Sequence, residues 1–241
     1  MLPITARAVS GAIATGGDRF RIGDQEFILS DIRAPSAYVL GETQAPFFTQ
    51  AMAHLQGLIE TTNLEIEDTA PITRWNARVV KAFGFGVKVT LQEQMLAIGA
   101  ARVAPQTDDH AFIDHLLNVE RKAREGGRGI WALAAYRIVN ALNANAAIDG
   151  YHVVEGIVVS ARATRSRFYL NFGDDYRTDF TASAKSSLYR RWLRDEFDLA
   201  ALEGAKIRVR GFVVDINGPS IDLTHRRQIE HSDPMKVGVR K

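Results

Sequence analysis

At 241 residues, with 46% hydrophobic and 24% charged side chains, the chain has the composition of a soluble globular protein long enough for two domains, each with its own core. It has no cysteine, which excludes disulfides and thiolate-held metal. A formal net charge of +2 is too small to argue for nucleic acid by itself.

No run reaches the ~18 apolar residues of a membrane-spanning helix. The nearest, Trp131 to Ile148, is interrupted by Arg137, Asn140, Asn143 and Asn145. The start, Met1-Leu2-Pro3-Ile4-Thr5-Ala6-Arg7, lacks the charged end and apolar stretch of a signal peptide. That pattern fits a cytoplasmic protein, or an exported one whose start has been processed. Residues 1–144 carry 14 basic and 15 acidic side chains, and residues 145–241 carry 16 and 13, so the mild basic excess sits C-terminally.

In chain order, Ile4 to Ala14, Phe20 to Ile22 and Glu26 to Leu29 read as short strands, separated by the turns Gly16-Gly17-Asp18 and Gly23-Asp24. From Thr43 to Glu60, Phe47, Ala51, Leu55, Leu58 and Ile59 fall at helical spacing. Strands are predicted at Leu64 to Ile66, Arg78 to Phe85 and Val87 to Leu91, then a short helix over Glu93 to Ile98. A longer helix is predicted from Asp109 to Glu125, with Phe112, Leu116, Val119 and Ala123 on one face and Gly126-Gly127 as its stop.

Ala141 to Gly150, rich in Ala and Asn, reads as a connector. It divides a first domain over 1–140 from a second over 150–233, with a tail at 234–241. Val153 to Ala161, Arg167 to Phe172, Arg177 to Ala182, Lys206 to Val214 and Ser220 to Leu223 are five candidate strands, with a helix over Ser186 to Asp195. Five short strands and one interposed helix fit a small OB-like barrel. No repeat joins the two halves at the level of sequence.

Three stretches resemble the thermonuclease (staphylococcal-nuclease-like) family: Gly16-Gly17-Asp18, Ile32-Arg33-Ala34-Pro35-Ser36, and Glu120-Arg121-Lys122-Ala123-Arg124 with Gly129-Ile130-Trp131. The resemblance covers roughly residues 8–133 and implies a nuclease-type OB barrel with packed helices; with the second small OB-like β-barrel read from the strand pattern, the expected architecture is mainly β with packed helices, α+β. The second module is similar to one appended to some bacterial thermonuclease-like proteins, through Phe168-Tyr169-Leu170-Asn171-Phe172-Gly173, Asp179-Phe180-Thr181 and Gly218-Pro219-Ser220-Ile221.

The family resemblance implies phosphodiester cleavage with a carboxylate-held Ca2+, a Glu acting on the attacking water and two phosphate-binding Arg. A hard cation needs several oxygen ligands, and charge developing on phosphorus needs preplaced cations. Carried over by position, Asp18 is the one metal ligand retained. Arg33 stands at the second carboxylate position, Ser36 at the acid/base Glu, and Ile28 at the first phosphate-binding Arg; Arg78 matches the second. Ser36 removes a proton-transfer group worth about 10²–10⁴ in rate. Arg33 does more harm, because it sets a permanent cation where a dication would sit.

Elsewhere in this half, Asp24, Glu26, Asp31, Glu65, Glu67 and Asp68 read as solvated strand and turn charges, and Asp18 as a turn residue or a partner of Arg33. His110 and His115, five apart, point in different directions on a helix, and His225 reads as structural or surface. No metal or other cofactor is therefore expected.

In the second module, alternation places Phe168, Leu170 and Phe172 in the core, with Arg167, Tyr169 and Asn171 on the opposite side. Arg162, Arg165, Tyr176, Arg177, Arg208 and Arg210 join these as candidates for single-stranded nucleic acid, and Arg190, Arg191, Arg194, Arg226 and Arg227 add charge. Asp174, Asp175, Asp179 and Asp195 offset them. The expectation is a catalytically degenerate nuclease-like protein acting by binding, as a subunit of a larger protein assembly, with nucleic acid as the second choice of partner. The alternative is a nuclease with an altered or metal-independent site.

Overall fold

The computed structural model describes residues 10–37, 45–60, 63–175 and 177–232. The N-terminal part of the strand predicted from Ile4, the start of the helix predicted from Thr43, Tyr176 and the tail 234–241 lie outside the described residues. The chain divides into two compact units, Met1–Tyr136 and Arg137–Lys241.

In the first unit, β1 (Ile13–Ala14), β2 (Arg19–Ile22) and β3 (Gln25–Leu29) form an antiparallel meander. After β4 (Ile32–Arg33) and α1 (Phe48–Glu60), β5 (Leu64–Asp68) and β6 (Arg78–Gly84) make a hairpin whose second strand runs parallel to β3. The order is β1-β2-β3-β6-β5. Period-two alternation sends Phe20, Phe27, Leu29, Leu64, Ile66, Val80 and Ala82 inward. Across that core lies α1, burying Phe48, Ala51, Leu55 and Ile59 at helical spacing. Each large apolar side chain buried in this way stabilises by about 1.5–3 kcal/mol.

Next come α2 (Leu91–Ala97), β7 (Arg102–Val103), which pairs with β4, and α3 (His110–Glu125). The strand predicted over Val87 to Leu91 does not form. Thr90 instead caps α2, accepting from the Glu93 N–H while Glu93 reaches back to the Thr90 N–H. This reciprocal cap satisfies amides a strand would have spent on a ladder. The buried face of α3 also differs from expectation: Ile113, Leu116, Glu120 and Ala123 are inside, while Phe112 and Val119 pack at the margin. Glu120 marks the inward face because its Oε2 accepts from the Val103 N–H and its Oε1 from Arg124.

The second unit runs β8 (Val139–Asn140), β9 (Gly150–Ile157), β10 (Ser160–Ala163), β11 (Arg167–Asn171), β12 (Thr181–Lys185), α4 (Ser186–Arg194), β13 (Lys206–Asp215), β14 (Pro219–Leu223) and β15 (Ile229–His231). Its sheet order is β10-β11-β12-β14-β13-β9-β8, with β15 also on β13. Val158 and Val159 alone separate β9 from β10, yet the two strands lie toward opposite ends of the ladder. The sheet must curl for that, which makes a barrel. The single strand predicted over Val153 to Ala161 is therefore two, bent at Val158-Val159.

The segment 141–150 is not a free connector. It forms a 3₁₀ turn over Ala141–Ala147 whose Ala141, Ala144 and Ala147 are buried in the second core. The third strand starts at Thr181 rather than Arg177.

Candidate functional site

Asp18, Arg33 and Ser36 line one small cleft of the first unit, of about 120 Å3, together with Thr15, Arg19 and Phe48. Gly17 lets the turn settle there: a Cβ on it would come within 2.6 Å of the Ala34 Cβ and 2.7 Å of the Ala51 Cβ, so only glycine passes between β4 and α1. Asp18 is 7% exposed. Its Oδ1 accepts from Arg19 Nε at 3.1 Å and its Oδ2 from the Ala34 N–H at 3.2 Å. Arg19 reaches Glu26 at 4.0 Å as well. The carboxylate is thus spent inside the protein, on a guanidinium and a backbone amide.

Arg19 escaped the reading of the sequence. Its signal was local: it directly follows Asp18 and sits across the β2–β3 ladder from Ile28, the position where the resemblance would place an Arg. Arg33 lies on β4, in register with Arg102 on β7.

Among the described residues lining the cleft, Asp18 is the only carboxylate. No group of three or more His, Asp or Glu among the described residues is placed to hold a metal ion. Six to eight oxygens are needed around Ca2+. One carboxylate with both oxygens engaged, two hydroxyls (Thr15 and Ser36) and two guanidiniums do not make such a donor set. The residues present do not fit the ion.

The other acids of this unit have separate work. Asp31, predicted to be solvated, is fully buried. Its Oδ1 accepts from the Gln106 and Thr107 N–H groups and its Oδ2 from Thr107 Oγ1, at 2.8–2.9 Å. Those three bonds hold Asp31 at φ 61 and fasten the strand end to the loop entering α3. Asp68 binds Arg78 in a two-pronged pair at 2.8 and 2.6 Å. That bond raises the Arg78 pKa above its ordinary value, against the opposing effect of burial. The guanidinium also lies 5.1 Å from the centre of the Phe27 ring, and it does not line the cleft. His115 Nε2 meets Glu93 at 2.7 Å, and His225 caps the turn Arg226–Gln228 by accepting from the Arg227 N–H.

The second unit holds a larger concavity, of about 790 Å3. Its floor is the outer face of β10, β11, β12 and β14, where register aligns two polar rows. Ser160, Asn171, Thr181 and Ser220 make one row, and Arg162, Tyr169, Ser183 and Asp222 the other. Arg167 spans the second row's end, donating to Ser183 Oγ at 3.0 Å and its carbonyl at 3.1 Å, and pairing with Asp222. Phe168, Leu170 and Phe172 are buried behind this floor, as alternation predicts.

The remaining arginines named from the sequence do not join this face. Arg165 is exposed on the β10–β11 turn and Arg177 on the loop before β12. Arg208 is bound to Glu155 at 2.8–2.9 Å. Arg210 is wholly buried and paired with Glu230, so it offers nothing to a surface ligand. Arg190, Arg191 and Arg194 are exposed on α4. Among the described residues, no helix is long and apolar enough to cross a membrane.

Residues 26–133 match the family model described as staphylococcal nuclease homologue, a match that starts inside β3, after the Asp18 turn. No curated protein matches the chain.

Proposed function

We propose, for a chain that residues 26–133 make a thermonuclease-like family protein, that the nuclease chemistry is lost and that the protein acts by binding, as a subunit of a larger protein assembly. One observation carries this reading: both oxygens of Asp18 are engaged by Arg19 and the Ala34 amide, in a cleft that Arg33 also lines. A dication entering there meets fixed positive charge and, among the described lining residues, no free carboxylate. Arginine does not deprotonate to relieve the conflict.

A protein partner is supported by the β5–β6 loop. Trp75 is 77% exposed and Ile72 59%, with the Arg74 guanidinium 4.6 Å from the centre of the Trp75 ring. The loop is built, not loose: Thr73 and Ala77 bond to each other through both backbone and side chain, and Gln25 donates to the Asn76 carbonyl at 2.6 Å. An exposed tryptophan beside an arginine on a preformed loop has the chemistry of an interface anchor.

The test is incubation of the full chain with single- and double-stranded DNA and RNA, with Ca2+, Mg2+, Mn2+ or chelator, beside a native pull-down. The expected outcome is no cleavage, and a co-purifying protein lost on Trp75→Ala. Cleavage that disappears on Asp18→Ala would overturn the proposal in favour of an altered-site nuclease. Retention of nucleic acid in place of protein would move the binding role to that ligand.

A further inference from the structure

The 790 Å3 groove of the second unit lies within the range of about 300–1,000 Å3 usual for small-ligand sites. Its polar groups fall into two kinds. Arg167, Asp222 and Ser183 hold one another, as do Asn171, Ser160 and Thr181, so their positions are fixed. No side-chain hydrogen bond joins Arg162, Tyr169 or Asp174 to another described residue, and all three line the groove, Arg162 and Tyr169 as cross-strand neighbours. The floor thus carries both fixed donors and acceptors and, at Arg162 and Tyr169, unspent ones.

The charge of the lining decides against a polyanion. Arg162 and Arg167 are balanced by Asp174 and Asp222, and Arg167 is already paired. A nucleic-acid track needs a local excess of cations and usually several stacking rings, whereas the described residues lining this groove give no excess and one ring, Tyr169. The edge of the sheet decides against an added peptide strand, because the outward N–H of Ala161 on β10 is taken by Glu203 Oε2 at 2.9 Å.

What remains is amphipathic and uncharged. The floor mixes donors with acceptors at every step, while Val214, 38% exposed, and Ile216, 65% exposed, form an apolar rim. The tight turn Ile216-Asn217-Gly218 holds that rim in place, with Asn217 at φ 54 and Gly218 at φ 86. A sugar ring matches both parts. Its hydroxyls each donate and accept, so they suit guanidinium beside carboxylate and amide. Its C–H face suits the tyrosine ring and the aliphatic rim.

We infer that this groove is a binding site for a neutral oligosaccharide, with Tyr169 as the stacking platform and Asp174 and Arg162 as the hydroxyl ligands. The inference is independent of whether the first unit cleaves nucleic acid.

The experiment titrates full-length protein calorimetrically with cellohexaose, maltohexaose and N-acetylchitohexaose, with an oligodeoxythymidylate as the competing class. At least one hexasaccharide is expected to bind, with affinity unchanged within about twofold as salt rises. Tyr169→Ala and Asp174→Ala should each weaken it by about tenfold. Arg191→Ala, on the exposed face of α4 away from the groove, should not. Asp174 makes no side-chain bond to another described residue, so its variant tests the site even where Tyr169→Ala disturbs folding. Binding of none of the three sugars, affinities retained in both variants, or binding only of the oligonucleotide with loss in salt would each overturn the inference.

Discussion

In both units an antiparallel meander is followed by a helix and two further strands, the last of which inserts parallel to the meander's third strand. The orders β1-β2-β3-β6-β5 and β10-β11-β12-β14-β13 are the same path. On that shared path the polar residues are used in opposite ways. The first unit turns its charges on each other: Asp18 on Arg19, Asp68 on Arg78, Asp31 on the 106–107 amides, Glu120 on Arg124. The second unit lines up two polar rows on its outer sheet face and leaves Arg162 and Tyr169 of one row, and Asp174 beside them in the lining, without a side-chain partner among the described residues. The density of charged residues is thus a poor guide to a site. What counts is whether neighbouring groups have already used them.

The largest effect that sharpens this contrast lies within one strand. Phe168→Ala should cost about 3–5 kcal/mol, because the ring is 3% exposed and packs 4.2 Å from the Tyr189 ring. Tyr169→Ala, one residue on and facing the groove, should stay within about 0.5 kcal/mol. Urea denaturation of both variants checks this. Equal losses would mean that Tyr169 is a packing residue and that the groove is an ordinary sheet surface.

A second test breaks the contrast from the other side, by freeing the first unit's charges. Arg33→Asp removes the cation opposing a metal ion and adds a carboxylate to a cleft that holds one. The variant should gain a Ca2+-dependent rise in melting temperature that the natural chain lacks. At a calcium concentration about 100 times the dissociation constant, the stabilisation would be about 2.7 kcal/mol. No calcium shift in the variant would mean that Arg19, still bonded to Asp18, suffices to exclude the ion.

Asp31→Ala comes next, at about 1–3 kcal/mol. It leaves three donors without their acceptor in a fully buried place, and it removes the side chain that holds a left-handed backbone turn. Thermal melting measures it, and a loss under about 0.5 kcal/mol would show that Asp31 is as solvated as its sequence context suggests.

These particulars show what was legible beforehand. The alternation of Phe168 to Phe172 placed core and groove faces correctly, because the period of a strand is a local property. The shared path of the two units was invisible in sequence, since different side chains satisfy the same strand order. Arg208 and Arg210 read alike as candidates for a nucleic-acid surface, yet Arg210 is buried. Its partner, Glu230, lies 20 residues away on β15, and only tertiary pairing reveals that. Asp31 was misread, and the burial of Glu120 passed over, for the same reason: a buried acid is recognisable by its donors, which include backbone amides brought in by other elements. Arg19 was overlooked because its role depends on the neighbour it binds.

The smallest effect concerns Asp109, which caps α3 by accepting from the Phe112 N–H at 3.0 Å and meets Lys81 at 2.6 Å. The Lys81 hydrogen bond first, and the Phe112 amide after it, hold its carboxyl below the ordinary aspartate value. A carboxyl depressed in the folded state binds protons more readily in the unfolded chain, so its stabilisation is present above the unfolded value of about 3.9 and is lost as pH falls toward the folded value. Asn caps as well as Asp but carries no charge. Asp109→Asn should therefore lower stability by about 0.2–1 kcal/mol near neutrality, the usual size for an exposed pair, and the difference should shrink as pH falls below the unfolded value. Melting curves of both proteins across that range measure it. A difference that persists at low pH would assign the effect to the cap geometry instead of the charge, and would place Asp109 with Asp31 among the acids valued for where they accept hydrogen bonds.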